Sequence, residues 1–265
     1  MGEVGDNAEL CRTSLTVFLG GAGMSGAYPA EFVTLLQEAG ICNPVAGNFP
    51  GMWGVADNKS IFDMLADAAS VPFANSPWSD NPGAPVEVPP RSVNEWVNME
   101  LERALGLSDT RDRLQATRHR QGADYNLASA NIGRGAPRNE DTFNIIGYSW
   151  GAVVAARMAL FYASAGVEVD FVGLVGAPVN TSLLSSVRRV SLIKKVSVQN
   201  LSAQWDPIYA GMTDAEIIAA APLLIAQMAW SSEGSGHFYY SGSGTAVGRQ
   251  RKRALIVALM SDGLK

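Results

Sequence analysis

Three residues in this chain have the types and the order that nucleophilic acyl chemistry requires. Ser149 lies at the centre of Gly147-Tyr148-Ser149-Trp150-Gly151, a G-x-S-x-G pattern. An apolar run, Phe143 to Ile146, precedes it, and a small-and-apolar stretch, Ala152 to Ala165, follows it. A strand that turns sharply into a helix at a serine holds the hydroxyl clear of the backbone, and small flanking residues permit the strained turn. The same five residues could also form an ordinary glycine-bounded turn into a helix.

A serine hydroxyl attacks poorly until a base takes its proton, and histidine suits that task near neutral pH. Only two histidines are present. His119, in Arg118-His119-Arg120, precedes the serine within a charged stretch and reads as a solvated surface residue. His237, in Gly234-Ser235-Gly236-His237-Phe238, follows it in a flexible loop before the last helix and is the candidate base. A carboxylate must then orient the imidazole. Asp206, in Gln204-Trp205-Asp206-Pro207, follows a predicted strand, and the proline favours an extended or turn conformation there. Its competitors are Asp170, at the wrong end of its strand, Asp214, which reads as a helix N-cap, and Glu233, near His237 in sequence. The order Ser149, Asp206, His237 is the one used by one class of hydrolases.

The elements that would position these groups read as a doubly wound, mainly parallel α/β sheet. Predicted strands cover Ser14 to Leu19, Ile41 to Ala46, Thr142 to Ile146, Glu168 to Val175 and Lys195 to Leu201. Predicted helices cover Pro29 to Ala39, Ala152 to Ala165, Ala215 to Trp230 and Ala246 to Met260. The first strand runs into Gly20-Gly21-Ala22-Gly23, where small residues would let backbone N–H groups approach a ligand. No Gly-Lys-Ser/Thr follows, which excludes a P-loop. Gly21-x-Gly23-x-x-Gly26 is a weak dinucleotide pattern, and Cys42-Asn43 stands where that fold wants an acidic residue. In such sheets, sites lie at the carboxyl ends of strands, where Ser149 and Gly20 to Gly23 both fall.

Between Asn48 and Glu140 the pattern weakens into an insertion far longer than a usual α/β loop. Within it, Ser92 to Leu107 and Asp109 to His119 look helical, and Gly122 to Asn139 reads as loop. Phe49, Met52, Trp53, Phe73 and Trp78 would line an apolar substrate groove or lid, or form a small core of their own.

Composition bounds the rest. With 265 residues, 47% hydrophobic and 17% charged, the chain is long and apolar enough for one large domain and is not a disordered segment. A net charge of -5 argues against a general nucleic-acid binder, and the basic run Arg249 to Arg253 reads as the solvated face of the last helix. Cys11 and Cys42 are the only cysteines, and their pairing is left open. No secretory signal is visible, Asp6 occupies the Ser/Thr position of a myristoylation motif, and Val153 to Ala163 is too short to span a bilayer. Synthesis in the cytoplasm is expected, with the place of action undetermined.

Through GYSWG, the glycine-rich turn after the first strand, QWDP and the late GHF, the chain resembles the α/β-hydrolase superfamily, specifically its lipase and esterase branch. The resemblance covers residues 14–47 and 141–265. It implies an oxyanion hole formed by the N–H of Trp150 and a donor from Gly21 or Ala22, with Gly21 preferred. The first loop departs from the family in lacking the His-Gly form common in lipases. A narrower likeness is to lipase effectors injected by bacterial type VI secretion machines, which also lack signal peptides and would be exported by a signal-independent route.

The expectation is therefore ester hydrolysis through an acyl-enzyme, with no metal or organic cofactor, acting on a small-molecule ester, a lipid or a phospholipid. Contact with a membrane surface would be transient. Acyl transfer or amide cleavage by the same three residues, or a binding protein that kept the fold without activity, are the rivals.

Overall fold

The computed structural model describes residues 11, 13–21, 27–47, 125–128, 130–230 and 234–265. The expected helices at 92–107 and 109–119, the aromatic residues between 49 and 78, His119, Ala22 and Glu233 lie outside the described residues.

Among the described residues five parallel strands form one sheet: β1 (Leu15–Leu19), β2 (Pro44–Gly47), β3 (Phe143–Tyr148), β4 (Phe171–Val175) and β5 (Val196–Gln199). Their spatial order is β2-β1-β3-β4-β5. The α/β class and the parallel sheet expected from the sequence are what the fold has. Parallel pairing requires crossovers, and helices supply them: α1 (Ala27–Glu38) between β1 and β2, α2 (Trp150–Ser164) between β3 and β4, and α3 (Thr181–Arg189) between β4 and β5. Two further helices follow, α4 (Asp214–Trp230) and α5 (Ala246–Ser261). Among the described residues no helix is long and apolar enough to cross a membrane.

Side-chain alternation along the strands divides the core between two faces. Leu15, Val17, Leu19, Phe143, Ile145, Val172 and Leu174 pack with α2, α3 and the start of α4. Phe18, Ile146, Tyr148, Phe171 and Val175 pack on the other face with α1 and α5. Helix α2 buries twelve of its fifteen residues, and its alanines let it lie close to the sheet. Residues 125–128 and 130–132 pack against it, with Arg157 over the Tyr125 ring. They are turns, as expected, yet Tyr125, Leu127, Ala130 and Ile132 are buried in the core, and Leu127 N–H donates to the Tyr162 hydroxyl at 2.9 Å.

Three local readings need correction. Helix α3 was not anticipated, although Asn180 caps it by accepting from Leu183 N–H at 2.8 Å and Leu183, Leu184 and Val187 form its buried face. Asp214 is not an N-cap. Thr213 is: its hydroxyl accepts from Glu216 N–H at 3.3 Å while the Glu216 carboxylate accepts from Thr213 N–H at 2.7 Å. This is a reciprocal capping box, and it holds the Glu216 carboxyl below its usual range, first through the backbone bond to Thr213.

The basic run of α5 is likewise not merely a solvated face. Lys252 is wholly buried, with its ammonium donating to the Gly242 carbonyl at 2.5 Å, 3.6 Å from the Glu31 carboxylate and over the Tyr28 ring. Burial lowers its pKa, and Glu31 opposes that shift. Arg249 and Arg253 both reach Glu38 on α1. The run thus fastens α5 to α1.

The two cysteines form a disulfide, with Cα atoms 4.9 Å apart. It ties the start of the described chain to the segment entering β2, where the Asn43 side-chain amide donates to the carbonyls of Cys11 and Ser14. The bond closes a loop with a sequence separation of 31. Chain-entropy arguments give such a closure about 3–4 kcal/mol, because the reduced unfolded chain is freer. Reduction, or Cys42→Ser, is expected to lower the unfolding free energy in urea by about that amount. Coincident urea midpoints with and without reductant would show that the bond contributes nothing.

Candidate active site

The sheet order creates a crevice. From β1 the chain crosses to one side to form β2, and from β3 it crosses to the other to form β4, so the carboxyl ends of β1 and β3 open between diverging connections. Leu19 pairs with Gly147 and Tyr148 with Val175, which brings the ends of three strands level. Gly20, Gly21 and Ser149 stand at this edge.

One residue alone separates β3 from α2, and it is Ser149. Its φ of 56° and ψ of -127° lie where side chains are disfavoured, so the turn must be held by its surroundings. Ser149 N–H donates to the Val175 carbonyl at 2.9 Å, and the Ser149 carbonyl accepts from Ala152 N–H at 2.9 Å. The flanking glycines follow from space rather than flexibility. A Cβ on Gly147 would stand 2.2 Å from the Gly151 carbonyl oxygen. A Cβ on Gly151 would stand 2.2 Å from the Leu19 carbonyl oxygen and 2.3 Å from that of Gly20. The first turn of α2 therefore presses directly on the end of β1. Trp150 and the buried Gly21, the two expected backbone donors, belong to these abutting segments.

The three side chains selected by type and order come together. Ser149 Oγ lies 2.6 Å from His237 Nε2, and His237 Nδ1 lies 2.9 Å from Asp206 Oδ2. Asp206 follows the short 3₁₀ turn Ser202–Gln204 after β5, and its second oxygen accepts from Ile208 N–H at 2.8 Å. The Asp206 side chain is 0% exposed and that of His237 3% exposed, so water does not compete for the bond between them. The competitors are elsewhere. Asp170 precedes β4 at the opposite edge, accepting from Phe143 N–H at 2.8 Å, and Asp214 opens α4.

Two side chains that the sequence did not single out complete the setting of His237. Tyr148, the second residue of the G-x-S-x-G pattern, stacks on the imidazole at 6.0 Å between centroids and donates its hydroxyl to the His237 carbonyl. Burial, and then the charge of Asp206, raise the phenol far above its ordinary pKa, so it keeps the proton it donates. Gln227 on α4 accepts from His237 N–H at 2.9 Å and donates to the Trp205 carbonyl at 2.7 Å. A strand-end tyrosine and a lone glutamine in an apolar helix carry no periodic signal, and the G-x-S-x-G motif itself was the one pointer to Tyr148. On the outer side, Arg251 donates to the Gly234 carbonyl at 2.6 Å and stacks over the Tyr239 ring.

Trp205, Tyr209 and Leu223 leave apolar surface open around α4 and the loop that carries Asp206, Trp205 being 85% exposed. Among the described residues no group of three or more His, Cys, Asp and Glu side chains is arranged to hold a metal ion. No family model, curated protein or solved structure matches the chain.

Gly151→Ala sets a methyl against two backbone oxygens that cannot rotate away, so β1 and α2 must part. It is expected to lower stability by about 3 kcal/mol, at the upper end for overpacking. Gly133→Ala, at an exposed position with nothing within 4 Å, should shift stability by less than ~0.5 kcal/mol. Equal urea midpoints for the two variants would contradict the close approach.

Proposed function

We propose that the chain is a serine esterase of the α/β-hydrolase type that works through an acyl-enzyme. The observation that carries this reading is the continuous hydrogen-bonded line from Ser149 Oγ through His237 to the buried Asp206 carboxylate. In the first half-reaction Ser149 Oγ bonds to the acyl carbon, and its proton passes to His237 Nε2. The tetrahedral intermediate collapses by expelling the alcohol, which takes that proton. Water then repeats the cycle, giving its proton to His237 and releasing the carboxylic acid and Ser149. Asp206 holds Nδ1–H toward itself, which leaves Nε2 as the acceptor and stabilises the imidazolium.

An oxyanion in this reading is bound by the N–H of Trp150, in the first turn of α2, with a second donor from Gly21. Removal of one such donor typically costs about 2.7–4 kcal/mol of transition-state stabilisation. Ala22 remains the alternative second donor. Support for an acyl or lipid substrate comes from the exposed Trp205, Tyr209 and Leu223 near the acid loop and α4. The disulfide supports a place of action outside the reducing cytoplasm, because such bonds persist in oxidising compartments. The narrower likeness to type VI effectors draws no support from the fold or the site.

Ser149→Ala is expected to abolish hydrolysis of p-nitrophenyl esters and labelling by a fluorophosphonate probe. Asp206→Asn should keep the fold and lower kcat by about 10⁴-fold, since the amide holds the wrong imidazole tautomer. Unchanged ester turnover in Ser149→Ala would sink the assignment. Product analysis with amide substrates and acceptor alcohols would separate hydrolysis of esters from amide cleavage and acyl transfer.

A further inference from the structure

Asp206 and His237 are 31 residues apart, Asp206 just after the short 3₁₀ turn Ser202–Gln204 and His237 within another, Gly236–Phe238, with no longer helix or strand holding either. Loops of this kind do not place side chains to a few tenths of an ångström unless something outside them fixes their backbones. One side chain touches the backbone of both. Gln227 Oε1 accepts from His237 N–H at 2.9 Å, and Gln227 Nε2 donates to the carbonyl of Trp205, the residue before Asp206, at 2.7 Å.

The partners dictate both the residue type and its orientation. An N–H requires an acceptor and a carbonyl requires a donor, so the amide cannot be flipped without losing both bonds. An ionised carboxylate would lack the donor, and an ammonium would lack the acceptor. The backbone of the base loop is shaped around this amide. Gly236 has φ +56°, and a Cβ there would stand 2.4 Å from Gln227 Oε1 and 2.6 Å from Nε2. Trp205 also has a left-handed backbone, φ 67°, with its carbonyl turned to Gln227.

We propose that Gln227 is a positioning residue for the reaction of Ser149, clamping the acid loop to the base loop so that the imidazole is set before substrate arrives. With Tyr148 donating to the His237 carbonyl, both backbone polar groups of His237 are bound by side chains from rigid elements, β3 and α4. The ring is then left to bridge Ser149 and Asp206 without also having to order its own loop. Loss of the clamp leaves substrate binding intact and reduces the fraction of molecules with Nε2 in reach of Oγ. It therefore acts on kcat.

The kinetic part of this proposal rests on the esterase reading, and the test keeps the two apart. Gln227→Met preserves length and packing without either hydrogen bond, and Gln227→Glu keeps the acceptor toward His237 while losing the donor toward Trp205. With p-nitrophenyl butyrate, Gln227→Met is expected to lower kcat by about 10- to 100-fold with KM within about twofold. Gln227→Glu should fall between it and the parent. A downfield proton resonance from His237 Nδ1–H is expected in the parent, and it should weaken or vanish in Gln227→Met at a temperature where both proteins are folded by circular dichroism.

An unchanged kcat, a loss appearing in KM alone, or a resonance that persists unaltered in folded Gln227→Met overturns the proposal. If the parent protein neither hydrolyses esters nor reacts with a fluorophosphonate, the esterase reading fails. The resonance comparison then decides by itself whether Gln227 positions His237.

Discussion

A single residue must carry the chain from the end of β3 into the first turn of α2. That constraint shapes everything at the carboxyl edge of the sheet. A turn so short puts α2 directly against the ends of β1 and β3, which leaves no volume for a Cβ at Gly147 or Gly151. It forces Ser149 into a backbone conformation that a serine adopts only when neighbouring hydrogen bonds over-determine it, here those to Val175 and Ala152. Its consequence is chemical as well as steric. The hydroxyl projects from the tip of the turn, and the start of a buried helix lies beneath it, where partial positive charge gathers.

The other two groups come from segments with no regularity of their own, and here burial sets the terms. An aspartate out of water is costly unless its oxygens are bound, and Asp206 has one oxygen on Ile208 N–H and the other on His237. The same burial that endangers the carboxylate strengthens its bond to the imidazole, because no solvent screens it. Tyr148 unites the two requirements. It belongs to the strand that leads into Ser149, it stacks on the imidazole of His237, and it donates to the His237 carbonyl.

Legibility from sequence divides along this line. Strand and helix periodicity carried the sheet, and glycine spacing carried the sharp turn at Ser149, since both are local consequences of local composition. Chemistry and chain order then selected Ser149, Asp206 and His237 without any contact information, and those three are adjacent in space. Boundaries were less accessible. Expected strand Thr142 to Ile146 and helix Ala152 to Ala165 left a five-residue gap that the structure closes to one, because apolar residues fill both elements and no cap marks the change. Asp214 resembles a cap because acidic residues favour both the cap and the first turn, whereas Thr213 and Glu216 form it. The disulfide, Gln227 and the burial of Lys252 depend on which distant segments meet. No window of sequence contains that information.

Lys252 and Arg251 show why that information matters to the site. The loop from Gly234 to Gly244 contains four glycines, the residues that lose most backbone freedom when ordered. Hydrogen bonds from charged donors contribute more than neutral ones to holding such a loop. The loop is met by charged donors from α5: Arg251 at the carbonyls of Gly234 and Tyr239, and Lys252 at that of Gly242. Glu31 on α1 accepts from Gly244 N–H and lies beside the Lys252 ammonium, so the buried cation has a counter-charge. Gly236, which lets Gln227 approach His237, thus adds to the cost of ordering the loop. Arg251 and Lys252 answer that cost from α5, while Arg249 and Arg253 stay at the surface with Glu38.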